Sequence, residues 1–286
     1  MAGQVAWAGR TAVLATMHGK EQTIAPVLAA GLDLHVIVPE GFDSDQFGTF
    51  TRDIPRAGSQ LEAARQKALA AMAQTGCDIG LASEGAFGPD PQLPWVACDR
   101  EILLLIDQRH GLELVGEAQS TATNYRQATV TSLNSALEFA AAAQFPSHGL
   151  VVMADPATKT TSEAIHKGIT DQATLVAIVT DLLTRQSSLW LETDMRAHLN
   201  PSRRAVIKQA AHNLVEKFHQ TCPQCNWPGF EVSRRLPGLP CASCGLPTGL
   251  TQSWIYRCRQ CSFEHTVPFP QGAKVADPAQ CGFCNP

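Results

Sequence analysis

The chain predicts an α/β protein with a mixed sheet flanked by helices, followed by a double zinc ribbon at the C-terminus, and three observations carry that prediction. Apolar runs at 10–16, 34–38 and 79–83 alternate with helical patterns at 20–30 and 59–75, the rhythm of parallel pairing through crossover helices. Two longer runs, 95–107 and 112–119, are joined by turn residues 108–111 and add antiparallel members to the sheet. Eight of the ten cysteines fall in the last 65 residues as four CxxC pairs.

Each element has a local reason. The first strand runs through Met17, His18 and Gly19 into a helix that Gly31 should stop. A loop rich in Gly, Asp and Phe spans 40–58, after which Ser59 and Glu62 form a capping box opening a helix to about Thr75. The third strand ends in Glu84-Gly85-Ala86-Phe87-Gly88. A helix over about 133–143, a buried strand over 150–154 and a helix from Asp171 to about Arg185 complete the domain, with a polar segment at 155–170 between the last two. Asn200 and Pro201 supply an N-cap and a first helical position, and the helix to about His219 carries Ile207, Ala210, Ala211, Leu214 and Phe218 on one face. The expected organisation is an α/β domain over 1–189, a polar strand and connecting helix over 190–220, and the double ribbon over 221–286.

From Leu191 to Asn200 polar and mostly apolar residues alternate, so an extended strand would place Glu192, Asp194, Arg196, His198 and Asn200 on one face. The same residues stand at helical spacing, Glu192 with Arg196 and Asp194 with His198, and alternation over ten residues favours the strand.

Hydrophobic content of 44% and charge of 17% describe a soluble protein. No apolar run reaches the roughly 18 residues a bilayer span needs, and the N-terminus lacks a signal-peptide pattern; a cytoplasmic protein without a membrane partner is expected. From Cys222 onward five Arg/Lys face three Asp/Glu, so the tail is plus two and the rest minus six. That small excess permits nucleic-acid contact without arguing strongly for it.

In a reducing compartment the pairs Cys222/Cys225, Cys241/Cys244, Cys258/Cys261 and Cys281/Cys284 imply metal rather than disulfides. Each tetrahedral zinc takes two such knuckles, so four make two closed, structural sites. Sequential pairing, first with second and third with fourth, is expected, with nested pairing as the alternative. Interleaved with Arg234, Arg235, Arg257 and Arg259, the tail's aromatics would suit single-stranded nucleic acid, but a thin ribbon core needs aromatics in any case, and the weak charge favours that second reading. Cys77 and Cys98 read as buried small apolar residues.

Lys20, at a helix start after the first strand, stands where α/β proteins place a phosphate-facing cation, although a surface lysine would fit there equally. Glu84, at the carboxyl end of a strand beside glycines, is placed for a divalent ion, or simply for a turn. His166, Lys167 and Asp171 would approach the same cleft, Asp171 being equally an N-cap. Asp194, Arg196 and His198 would make either a metal and phosphate site or a self-satisfied ion-pair ladder at an interface.

His18-Gly19-Lys20-Glu21, Val38 to Asp43, Ala82-Ser83-Glu84-Gly85, His166 to Asp171, Glu192 to Pro201 and the paired cysteines resemble an uncharacterised bacterial family known only as a domain of unknown function. More distantly, Thr11 to about Leu183 is similar to the inosine/xanthosine triphosphate pyrophosphatases, magnesium-dependent α/β enzymes that release diphosphate from aberrant purine nucleoside triphosphates. That match rests on Thr16 and Lys20 after the first strand, Gly58-Ser59, Glu84 with Gly85, and Gly168 to Thr170. His18 stands where that family has an asparagine, and neither the cysteine tail nor 191–200 belongs to it.

The expectation is therefore a metal-dependent hydrolase of a nucleotide or small phosphorylated ligand. Glu84 and Asp194 would hold magnesium; Lys20, Arg196 and Lys167 would bind phosphate; His18 or His198 would act as base. Two structural zinc ions would shape ribbons for assembly, as a homo-oligomer or with a protein or nucleic-acid partner. The rival expectation is a non-enzymatic module that senses a ligand and binds its partner through the ribbons.

Overall fold

A computed structural model describes residues 7–43, 58–156 and 165–286. Parts of the expected loop over 40–58 and of the polar segment over 155–170 lie outside the described residues. Close contacts divide the chain into a unit of Trp7–Val215 and a second containing Glu216–Pro286.

The first unit is α/β with two sheets. Strands β1 (Thr11–Ala15), β2 (His35–Ile37), β3 (Ile79–Pro89), β4 (Ala97–Asp107) and β5 (Leu112–Ser120) form a sheet in the order β2-β1-β3-β4-β5. β1 pairs in parallel with β2 and β3, and β4 is antiparallel to both its neighbours, so the sheet is mixed. Helices α1 (Glu21–Leu32) and α2 (Gln60–Thr75) supply the two crossovers. The Ser59 capping box forms in full, its hydroxyl accepting from Glu62 N and the Glu62 carboxylate accepting from Ser59 N. Ala64, Ala68, Ala71 and Met72 of α2 pack on Val13, Ala82 and Leu104.

The second sheet, β6 (Gln127–Val130), β7 (Leu150–Ala154), β8 (His166–Ile169) and β9 (Leu189–Thr193), has the order β6-β9-β7-β8 and is antiparallel. Helices α3 (Leu133–Ala142) and α4 (Gln172–Leu183) bury Phe139, Leu175 and Val179 against Leu150, Val152 and Leu191. α5 (Pro201–His219) lies so close to β5 that a Cβ on Gly116 would strike the Ala210 carbonyl and Leu214.

Two expectations need correction. Gly31 does not end α1: the helix runs to Leu32 and the left-handed residue is Asp33, φ 52°. Gly31 is small because Val215 of α5 occupies the space its Cβ would need. The strand expected over 191–200 stops at Thr193, and Ala197–Leu199 form a turn of 3₁₀ helix. The cause is Asp194, whose carboxylate accepts from the Arg196 backbone N–H at 3.0 Å and bends the chain out of the sheet.

β1 ends at Ala15, paired with Ala82, while β3 continues to Pro89. Beyond Ala82 no strand among the described residues lies on the edge of β3 that faced β1, which leaves a crevice at the carboxyl ends of the parallel strands.

The second unit contains the antiparallel sheet β10 (Val232–Pro237), β11 (Thr251–Arg257) and β12 (Glu264–Pro268), in that order.

Candidate functional site

Lys20 fills the crevice. Its ammonium donates to the Ser83 carbonyl at 2.6 Å, the group that the end of β1 leaves without a strand partner. Burial first, and Arg203 next, lower the Lys20 pKa to about 8, against the pull of Glu101 and Glu84. Glu84 points to the α2 side, where Lys67 Nζ lies 2.5 Å from Oε1 and both groups are largely out of water. The Gln60 amide donates to the Glu84 and Arg100 carbonyls and ties the start of α2 to this edge. Beside it, Thr16, Met17, Val38, Pro39, Gly41 and Phe42 line a recess of about 410 Å³.

The opposite face of β3 and β4 carries a second group of charges. Gly85 pairs with Glu101 and Phe87 with Asp99, so those side chains share one face. Arg203, from the first turn of α5, donates to Glu101 Oε1 at 2.6 Å and to the Met195 carbonyl, and lies 5.0 Å over the Phe87 ring. Asn200 caps α5 by accepting from Arg203 N, and its amide donates to Asn124 and to the Asp194 carbonyl. Asp99 is 0% exposed, and among the described residues no donor reaches either of its carboxyl oxygens; the group beside it is the Glu101 carboxylate. Burial and then the adjacent Glu101 push its pKa up to about 8, against Arg203 and Lys20.

His18 and His198 stack, rings 5.4 Å apart and 20° from parallel. Burial first, then His18 and Arg196, hold His198 below the usual histidine range. Asp194 is 1% exposed and accepts from Arg196 Nε and Nη2 and from the Gly168 N–H. Glu192 accepts from the Trp190 indole, Lys167 is exposed on β8, and Asp171 caps α4 through Thr174 N.

The expected residues thus fall into separate groups. Lys20 and Glu84 share one cluster, His18 meets His198, and Arg196 is taken up by Asp194. The guanidinium beside the Lys20 cluster is that of Arg203. Lys67, Asp99, Glu101 and Arg203 were missing from the sequence reading, although each carries a signal. Lys67 lies on the buried stripe with Ala63, Ala64, Ala68 and Ala71, and Arg203 on that of Ile207, Ala210 and Leu214. Asp99 and Glu101 occupy the same strand face as Leu103 and Leu105. A charge on a buried face needs a partner, and these are partners of one another.

In the second unit the cysteines gather as Cys222, Cys225, Cys258 and Cys261, and as Cys241, Cys244, Cys281 and Cys284, ligand atoms within 4.8 Å of one another in each set. This overturns sequential pairing: the first knuckle joins the third and the second joins the fourth. The reason is the sheet. Antiparallel strands carry successive knuckles to alternate ends, and the six residues of β10 and five of β12 span about 20 and about 16 Å, too far for the knuckles on either side of one strand to share one ion.

Closest sulfurs between knuckles stand 3.6 to 3.8 Å apart. A tetrahedron with metal–sulfur bonds of about 2.3 Å has edges of about 3.8 Å, whereas a disulfide is about 2.05 Å. The sets therefore fit zinc. Left-handed residues Asn226, Gly245 and Ser262 follow three of the knuckles, and N–H groups of Ser243 and Cys261 donate to Cys241 and Cys258 sulfurs. Phe230 packs on Tyr256 and Phe263 in the thin core. Arg234 and Arg257 lie beside Glu264, and Arg259 beside Glu231, so the arginines are interspersed with the carboxylates already counted in the net charge of plus two.

No helix among the described residues is long and apolar enough to cross a membrane. No curated protein matches the chain. A family model described as a domain of unknown function (DUF6671) matches residues 67–286, taking in β3 and β4, α5 and both cysteine clusters, and the chain belongs to that family.

Proposed function

We propose that the first unit is a metal-dependent hydrolase of a nucleotide or related phosphate compound, and that the cysteine clusters are structural zinc sites of a ribbon used in assembly or partner binding. The observation that carries the reading is the pair of buried lysines at adjacent residues of β3, Lys20 on the Ser83 carbonyl and Lys67 on the Glu84 carboxylate, at the carboxyl ends of parallel strands beside an open recess. Two buried ammonium groups, Lys67 on the Glu84 carboxylate and Lys20 on the neighbouring Ser83 carbonyl, form a cradle for an anion.

In this reading Lys20 and Lys67 hold phosphate oxygens, the Ser83 carbonyl and Glu84 respectively keep them in place, and Glu84 takes a proton from the attacking water. His198, held neutral by its surroundings, orients that water with His18. Arg196 is held by Asp194 in a group apart from the two lysines and is given no part in phosphate binding. A divalent ion, when bound, would neutralise phosphate charge. Asp194 suits that role poorly, because both its oxygens already accept from Arg196 and Gly168. The resemblance to nucleoside triphosphate pyrophosphatases at Thr16, Lys20 and Glu84 points to the same substrate class.

The test is release of phosphate or diphosphate by the full-length, zinc-loaded protein with Mg²⁺ across a broad nucleotide panel. Turnover by the wild type that falls by about a hundredfold or more in Lys67→Met and Glu84→Gln supports the reading. Absence of release from every nucleotide overturns it.

A further inference from the structure

We propose that Asp99 and Glu101 hold a divalent cation, magnesium or manganese, on the α5-facing side of the five-stranded sheet. The two carboxylates stand two residues apart on one face of β4, 0% and 1% exposed. Arg203 occupies Glu101 Oε1, while Oε2 has only the Ser83 hydroxyl at 3.5 Å, long for an O–H···O bond. Among the described residues no donor reaches either oxygen of Asp99, and the group that meets it at hydrogen-bond range is the Glu101 carboxylate, itself an acceptor.

An isolated carboxyl group out of water is costly, so something must meet it. A proton shared with Glu101 would satisfy one Asp99 oxygen and leave the other bare. A cation between the carboxylates meets both. The donors are all hard oxygens, which selects magnesium, manganese or calcium over zinc, and the tight packing favours the smaller ions.

Glu84 is not a ligand of this site, because it points to the α2 side of the sheet, where Lys67 stands 2.5 Å from it. Once a divalent ion has displaced the proton that the raised pKa keeps on Asp99, Glu84, Asp99 and Glu101 balance Lys20, Lys67 and Arg203 in charge, and the bound ion leaves the cluster positive by two, a fit for polyphosphate. That last clause rests on the hydrolase reading; the cation site does not.

The experiment is titration of full-length, zinc-loaded protein with MnCl₂, following free Mn²⁺ by electron paramagnetic resonance and thermal unfolding in parallel. Expected are one manganese per chain and a Tm rise of about 5 °C at saturating metal. Asp99→Asn should weaken binding at least tenfold, and Glu84→Gln should retain it. If Asp99→Asn does not fold, Asp99→Ser takes its place, and the wild-type titration still decides. Absence of binding to folded wild type overturns the proposal. So does unchanged binding in Asp99→Asn with loss in Glu84→Gln. Manganese binding at Asp99 without phosphate release from any nucleotide would remove the hydrolase and leave the site standing.

Discussion

Arg203 and Glu101 meet 2.6 Å apart with side chains 8% and 0% exposed, and they meet only because residue 85 is glycine. A Cβ at Gly85 would strike both the Glu101 carboxylate and the Arg203 guanidinium. Through this pair and the bond from Arg203 to the Met195 carbonyl, the start of α5 is fastened to β4. Glu101→Gln leaves a buried guanidinium short of its counter-charge, and the expected loss is about 3 to 5 kcal/mol in urea unfolding. Gly85→Ala should destabilise through displacement of the same pair. A loss below about 1 kcal/mol in Glu101→Gln would mean that water reaches the pair.

The crossed cysteine sets make a prediction that stoichiometry alone decides. Each set takes one zinc, so wild type should carry two per chain. Cys222→Ser with Cys258→Ser removes ligands from one set and should leave one zinc. Cys222→Ser with Cys241→Ser touches both sets and should leave none. Sequential knuckles would give the reverse, and metal analysis after gel filtration distinguishes them.

What the sequence disclosed, and what it hid, follows from the range of the forces involved. Capping chemistry is local, and the boxed helix opening at Ser59 and ending at Thr75 was legible from Ser59 and Glu62 alone. Long strands with a turn between them announced β4 and β5. β6 and β8 were not legible, because four residues carry too little periodicity and their partners lie in distant β9 and β7. Alternation over 191–200 misled because a single side chain, Asp194, competes for the backbone donor that a strand would need. The zinc ligands were legible from spacing, but their partition was not: it depends on which end of the sheet each knuckle reaches. Lys67, Asp99, Glu101 and Arg203 were not legible because periodicity marks an element, whereas a charge on its buried face is stabilised only by partners far away in the chain.

Asp107 gives a pH prediction remote from the charged cluster. Burial acts to raise its pKa, but Arg10, His110 and Trp7 all donate to the carboxylate and together hold it at about 2. A depressed carboxylate contributes stability that is whole above its unfolded pKa of about 3.9 and fades as pH falls toward 2. The shift corresponds to about 2 kcal/mol. The stability difference between wild type and Asp107→Asn should therefore be level above pH 5 and shrink between pH 4 and 2. A difference that stays level down to pH 2 would show that the three donors act on shape rather than on charge.

Lys20 should reverse the usual consequence of mutation. Its pKa falls from 10.5 to about 8 because burial, and then Arg203, oppose its charge, so at neutral pH the folded chain holds a proton on a group that resists it. Below pH 8 both folded and unfolded states carry that proton, and the penalty is whole; between about 8 and 10.5 the folded state releases it first, and stability rises with pH. The penalty is about 3 kcal/mol, against which Lys20→Met gives up the hydrogen bond to the Ser83 carbonyl, worth about 1 kcal/mol. Lys20→Met is thus expected to be about 2 kcal/mol more stable at pH 7, with the advantage gone by pH 10, and to lose phosphate release if the hydrolase reading holds. Stability retained at an energetic cost is what a group kept for binding an anion leaves behind. A variant less stable than wild type at pH 7 would make Lys20 a structural clamp on β3, and the phosphate role would pass to Lys67.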